Sequence, residues 1–418
     1  MKIRSPALIL ALFTGLNLLN YLDRFVLAAV LDPMQKENHL SNAWAGGLAT
    51  VFLIGYFATS PIFGRLADRG SRKGLIALGV AVWSIGTIGT GLSHGLPMLI
   101  VMRILVGVGE ASYATIAPTI IDDLAPPAQK SRWLAIFYVA TPVGSALGYL
   151  IGGAIEARYG WRAAFMVCGG PGLLLALLCL VIQEPERHNI LAHGSVADDV
   201  KHLVKYPSYV HGVLGYAAYT FAVGGFALWA PTFLFRTLHI ELAAANFKFG
   251  ATAAIAGVLG TALGGWLHDH YAAKSGGGDK SVVRAGLWIC AIGSLLGAPF
   301  AVACFLAPSS AVFFVCAFFC MTALFLNSSP INAVILRSVP EERRAGAMAL
   351  SITAIHGLGD LWSPVLVGLL ADRLPMRVAM MILPVALLVS AGALKPPKRP
   401  GLATGGFDRV KPAAPKKS

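Results

Sequence analysis

The residues Asn17-Leu-Leu-Asn-Tyr-Leu-Asp-Arg-Phe-Val-Leu-Ala-Ala-Val-Leu-Asp32 decide how this chain is read. They form the far half of an apolar run from about residue 6 to residue 31. That is the length a helix needs to cross a bilayer. Deep in the run sit Asp23 and Arg24, side by side. Each intramembrane charge costs about 2.5–3.5 kcal/mol on insertion scales, so a first span that carries two must pair them or use them. Neighbours in sequence do not face each other on a helix, so the two cannot simply satisfy one another.

The rest of the chain makes the membrane reading general. Of 418 residues, 56% are hydrophobic and only 13% charged, and the mean hydropathy is +0.69. Soluble domains of this length carry about 25% charged residues. The first span is too long for a signal-peptide core and is expected to stay in the protein. Twelve spans can be drawn, at about 6–31, 44–66, 74–93, 97–121, 132–156 and 163–182, then 208–235, 246–268, 284–306, 309–336, 345–372 and 376–394. Residues 1–182 and 208–394 thus form two six-helix bundles. Residues 183–207 make a polar connector, in which Val196, Val200, Leu203 and Val204 recur at helical spacing behind Ser195 as N-cap. An amphipathic helix lying on the membrane surface is expected there. Residues 395–418 read as a basic, disordered tail.

Charge sets the orientation. With twelve spans, 24 of the 33 Lys and Arg fall on the side of the termini and seven on the other, Arg24 and Arg103 lying within spans. The positive-inside rule then makes both termini cytoplasmic, in a bacterial inner (plasma) membrane. The formal charge of +13 is therefore topological, and no nucleic-acid partner is implied. The six cysteines lie in apolar runs and read as small packing residues. No nucleotide loop, metal-ligand cluster or nucleophile motif occurs, so neither a cofactor, a metal nor an enzyme is expected.

The halves echo each other. Pro127-Ala-Gln-Lys-Ser-Arg132 after the fourth span weakly echoes Pro340-Glu-Glu-Arg-Arg344 after the tenth, and the fifth span's end, Gly152-Gly-Ala-Ile-Glu-Ala-Arg158, echoes the eleventh's, Gly368-Leu-Leu-Ala-Asp-Arg373. Two such repeats around a central site make a transporter arrangement. Glycines at Gly144, Gly148 and Gly152, and at Gly260 and Gly264, have small-x3-small spacing and are expected to pack spans five and eight together at the seam.

After the second span comes Gly64-Arg-Leu-Ala-Asp-Arg-Gly-Ser-Arg-Lys73. Gly64 would allow close helix approach, Asp68 could cap a helix or bind a base across the seam, and Arg69, Arg72 and Lys73 would hold the loop to anionic lipid. This segment resembles the signature loop of the major facilitator superfamily, with Ser71 where Gly is usual. The counterpart Gly265-Trp-Leu-His-Asp269 is more degenerate. The resemblance implies the major facilitator fold and assigns Gly64, Asp68, Arg69 and Arg72 to the conformational gate, with Asp68 and Arg69 holding the outward-facing state.

Arg103-Ile-Leu-Val-Gly-Val-Gly-Glu-Ala-Ser-Tyr113 on the fourth span, together with Asn20-Tyr-Leu-Asp-Arg24, resembles the Spinster branch. That resemblance spans essentially the whole chain and implies amphipathic anionic lipids, lysophospholipids or sphingoid phosphates, as substrate. At 1.5 Å per residue, Asp23 and Arg103 stand about 26 and about 28 Å from the cytoplasmic ends of their spans, and Glu110 about 18 Å. Asp23, Arg24, Arg103 and Glu110 are therefore expected to form a neutral cross-helix network that binds substrate and protons, working or purely structural. His356 and Asp360, one turn apart on span eleven, could relay a proton or simply pack. Tyr216, Tyr219, Trp229, Asn327 and Asn332 are candidates for cavity lining or for ordinary packing.

The resulting expectation is a monomeric, proton-coupled, alternating-access transporter of an anionic lipid-like substrate. A carrier of small metabolites and a membrane sensor on a transporter scaffold stay open beside it.

Overall fold

The computed structural model describes residues 3–126, 129–185 and 196–397. Every element among them is helical. The helices are α1 (Pro6–Ala29), α2 (Leu31–Glu37), α3 (Asn42–Arg69), α4 (Arg72–Gly91), α5 (Leu96–Leu124), α6 (Lys130–Leu180) and α7 (Val196–Leu203). The second half supplies α8 (Pro207–Leu238), α9 (Leu242–Lys274), α10 (Asp279–Leu306), α11 (Ser310–Phe325), α12 (Pro330–Arg337), α13 (Arg344–Ile355), α14 (Ser363–Ala371), α15 (Met376–Ala379) and α16 (Ile382–Ala393).

Eleven helical stretches are long and apolar enough to cross a membrane, and one of them, Arg132–Leu180, is two crossings joined at a bend. The bend is at Gly160, with φ 79° and ψ 165°, a region that essentially only glycine occupies. The crossings are therefore twelve. Spans ten, eleven and twelve are each broken: α11 and α12 about residues 326–329, α13 and α14 about a π-helical turn at His356–Asp360, and α15 and α16 about residues 380–381.

Both ends of the described chain lie on the connector's side. The Ile3 amide donates to the Val181 carbonyl at 2.8 Å and the Gln183 amide to Ile3 at 2.9 Å. Near the other end, His211 Nδ1 meets the Ala393 carbonyl at 2.9 Å. The connector helix α7 forms, but Leu203 is buried in the second half's core while Val200 and Val204 are exposed. Ser195 and the tail from residue 398 lie outside the described residues.

The core has a telling division. On the side of the termini, the two halves have separate apolar clusters, one around Ile9, Phe13, Ile76 and Ile120, the other around Leu203, Tyr209, Val213 and Val334. On the far side a single cluster runs through both halves, from Val26, Leu31 and Tyr149 to Phe226, Phe249 and Phe313. Packing therefore fuses the halves on the far side and leaves them apart on the side of the termini.

The glycine stripes do a different job from the one their spacing suggests. A Cβ on Gly144 or Gly148 would strike Leu18, Tyr21, Leu22 or Phe25, all on α1. Those on Gly260 and Gly264 would strike Thr322, Phe325 and Leu326, on or just after α11. These stripes seat helices inside each half. The seam itself is tight at Gly46, where a Cβ would meet the Pro364 carbonyl, and at Gly368, where it would meet that of Asn42.

Candidate functional site

The run Arg103-x3-Gly107-x-Gly109-Glu110 builds its own site. A Cβ on Gly107 would meet the Phe52 carbonyl and the Tyr56 amide of α3, and one on Gly109 would meet the Gly79 carbonyl and the Trp83 amide of α4. The two glycines therefore let α5 sink between α3 and α4. This carries the next residue, Glu110, into a fully buried position. There it accepts from Arg24 Nε of α1 at 2.7 Å.

Arg24 is the accessible partner, its side chain 21% exposed against 0% for Glu110. Its guanidinium carbon lies 5.1, 5.0 and 5.3 Å from the ring centres of Tyr21, Phe52 and Tyr56. Such aromatic faces hold a cation without neutralising it.

The four-member network is only half built. Asp23 points into the first half, where Thr87 of α4 donates to it at 3.5 Å. Arg103 is buried, with its guanidinium carbon 5.0 Å from the Phe52 ring centre. Among the described residues, Asp23 and Arg103 form no ion pair, and Asp23 Oδ1 and Arg103 Nε are buried without a hydrogen-bond partner. Matching depth placed the two at one level but says nothing of azimuth. Successive residues turn by about 100°, so Arg24 reaches Glu110 while Asp23 faces α4.

Other expected residues scatter. Trp229 is fully buried and donates to the Pro364 carbonyl at 2.9 Å, and Asn327 is fully buried and donates to Ser294 at 3.3 Å. Tyr219 bonds the Leu324 carbonyl at 3.0 Å and stacks on Tyr216, ring centres 4.9 Å apart. Asn332 is exposed and turned back to Ser328. His356 Nδ1 lies 2.8 Å from Asp360, half-buried, its ring 5.7 Å from that of Phe57 on α3.

In the last turns of α3, Asp68 and Arg69 are exposed, and Gly64 has only Thr115 near a would-be Cβ, at 3.8 Å. No close approach demands the glycine here. Arg72 does not face lipid: it is buried, 2.5 Å from Asp123 and 3.1 Å from Glu184. Lys73 Nζ likewise binds the carbonyls of Leu180 and Ile182, at 3.0 and 3.1 Å. Both tie α4 to the end of α6. Ser71 explains itself: its hydroxyl caps α4 by accepting from the Gly74 amide at 3.3 Å, which glycine could not do.

A second constellation, on the far side, escaped sequence reasoning. Arg236 of α8 donates to Asp32 of α2 at 2.5 Å, to Asn42 at 2.8 Å and to Gln35 at 2.8 Å. Lys36 adds a second cation to Asp32 at 2.8 Å. Asp372, just past α14, accepts from the amides of Asn42 and Ala43 at 2.7 and 3.0 Å. A carboxylate from one half thus caps a helix of the other, where the dipole favours it. Asn246 donates to the Ala29 carbonyl at 2.9 Å, and Tyr149 to that of Ala227 at 2.7 Å. Charged residues at loop ends gave no clue to partners 200 residues away.

Nearby, Glu37 accepts from Trp161 at 2.5 Å and Arg162 at 2.7 Å. The Trp161 hydrogen bond first, then Arg162, hold its carboxyl below the usual range.

Residues 13–351 match the family model described as Major Facilitator Superfamily. Protein spinster homolog 1 of Xenopus laevis is 36% identical over 395 residues, spanning 89% of this chain and 74% of that protein. Its human counterpart is 37% identical over 395 residues, spanning 88% and 73%. Among solved structures, a bacterial homologue of the human lysosomal transporter Spinster, in an inward-facing and occupied conformation, superposes with a TM-score of 0.81. It is 23% identical, over 93% of this chain and 96% of that one.

Proposed function

The chain belongs to the Spinster branch of the major facilitator superfamily and is a multi-pass membrane transporter rather than an enzyme, and from that premise we propose that it moves an amphipathic anion, of the lysophospholipid or sphingoid phosphate type, coupled to protons. The observation that carries this reading is the Arg24–Glu110 pair: a buried carboxylate joined to a part-exposed guanidinium ringed by aromatic faces. An anionic head group competes with Glu110 for Arg24. When it wins, Glu110 is left buried without its counter-charge and takes up a proton. Substrate and proton binding then favour one another, and the linkage is reciprocal.

The chain's division of packing fits one end of the transport cycle. The halves are locked by Asp32, Arg236 and Asp372 on the far side and separate on the side of the termini. With the termini cytoplasmic, as the Lys and Arg distribution favours, this is an inward-facing state in a plasma membrane.

The test is uptake into proteoliposomes of lysophospholipids, sphingoid phosphates and small metabolites, with and without a pH step. Glu110→Gln should retain substrate binding and lose the pH dependence, and Arg24→Ala should lose thermal stabilisation by the anionic substrate. PH-dependent transport unchanged in Glu110→Gln would sink the coupling. Flux of small metabolites alone would sink the lipid substrate.

A further inference from the structure

A row of side chains winds along α10 through Lys280, Arg284, Trp288, Ile292 and Leu296, each four residues and about 40° around the axis from the last. At that spacing they form a stripe along the helix, which begins on the side of the termini. All five are exposed, Trp288 at 43% and Ile292 at 47%. Read from the membrane edge inward, the stripe goes from two cations to an indole to aliphatic side chains. That is the polarity gradient of a phospholipid, from head group through glycerol to acyl chain.

The upper part of the stripe lies in a cavity of about 1080 Å³. Its walls include Tyr271 and Ser275 at the end of α9, Arg337 at the end of α12, and Pro396 beyond α16. One carboxylate, Asp279, enters it, and this is already committed: it binds Arg337 at 3.1 Å and Arg344 at 3.7 Å. Lys280 and Arg284 have no ion-pair partner among the described residues. Two uncommitted cations thus stand over an apolar wall, and the charge they would complement is an anion.

We infer that this cavity is a binding site for an anionic diacyl phospholipid, its phosphate held by Lys280 and Arg284 and its acyl chains laid along Trp288, Ile292 and Leu296. The ligand is a lipid rather than a free anion because the cations stand at the head of an apolar column open to the bilayer. The site lies on the outer face of the second half, whereas Arg24 and Glu110 lie inside the first, so it does not depend on the substrate assigned above. A lipid here would bridge α9, α10 and α12.

The test uses the full chain in detergent with three probes: phosphatidylglycerol, phosphatidylcholine with the same acyl chains, and inorganic phosphate. Phosphatidylglycerol should raise the Tm, with the other two raising it little. In Lys280→Gln/Arg284→Gln the apparent affinity for phosphatidylglycerol should fall at least tenfold. Equal stabilisation by phosphatidylcholine, full stabilisation by inorganic phosphate, or an unchanged response in the double variant would each overturn the proposal. A second measurement stands should that variant fail to fold. Brominated phosphatidylglycerol should quench more fluorescence in the wild type than in Trp288→Phe, and brominated phosphatidylcholine should show a smaller difference. Equal quenching of both proteins by the brominated anionic lipid would overturn it independently.

Discussion

Arg236 and Asp32, 204 residues apart in the chain, meet at 2.5 Å and join the two halves on the far side. Asp32 is almost fully buried there, so its charge has few alternatives to Arg236 and Lys36. Asp32→Asn should weaken the closure by about 1.5 kcal/mol, the scale of a hydrogen bond to a charged group. That is about a tenfold shift in the ratio of closed to open. Pulsed spin-label distances between the α2–α3 and α8–α9 loops should show a new, longer population. An unchanged distance distribution would refute the lock.

Arg24→Ala leaves Glu110 buried and without its counter-charge. Breaking a buried pair costs about 3–5 kcal/mol, and the low end applies because Arg24 is partly exposed. The Tm should therefore fall clearly, and adding Glu110→Gln should recover much of the loss. Additive losses in the double variant would mean that the pair is not a stabilising unit in the membrane interior.

Gly107 and Gly109 seat α5 against α3 and α4 with no room for a side chain. Gly107→Val or Gly109→Val should cost roughly 1–3 kcal/mol or more by overpacking and lower both Tm and folded yield. Gly64→Ala should leave stability within about 0.5 kcal/mol of wild type, since only Thr115 lies near. A Gly64 variant as unstable as the Gly107 variant would contradict this division.

Glu184 shows how the connector's start is held. Burial raises its carboxyl pKa, but the hydrogen bonds and charge of Arg72 outweigh that and bring it below the usual value. A carboxyl lowered in the folded state adds stability that is complete above about pH 4.3, its ordinary value, and is lost as pH falls through the lowered one. Thermal unfolding followed downward from pH 7 should thus be insensitive to this group until the solution is more acid than that. Glu184→Gln should have a lower Tm at neutral pH and a flatter acid limb. Parallel curves for the two proteins would exclude the contribution.

Much of the architecture was legible because a bilayer is a severe solvent. Backbone groups in hydrocarbon must be satisfied within the helix, so apolar length alone marks each crossing. Even the join between spans five and six, predicted near residues 157–162, falls at the Gly160 bend. The motif Arg103-x3-Gly-x-Gly-Glu was legible as a candidate site for a similar reason, because a carboxylate in a span must have a purpose or a partner.

What sequence patterns could not supply was direction around each helix axis and the identity of distant partners. Depth follows from counting residues, so Asp23 and Arg103 could be matched by height. Azimuth follows from how α5 sinks between α3 and α4, and it leaves Asp23 beside Thr87 with no ion pair to Arg103 among the described residues. The small-x3-small spacing of Gly144, Gly148 and Gly152 announced a close contact, but only packing decided that the neighbour is α1. By itself, the sequence determined the twelve crossings and the charges within the first half, since these follow from the transfer energies of single residues. Tertiary structure alone decided which charges meet, which glycines form the seam and which side is shut, because those depend on long-range pairings that no local pattern encodes.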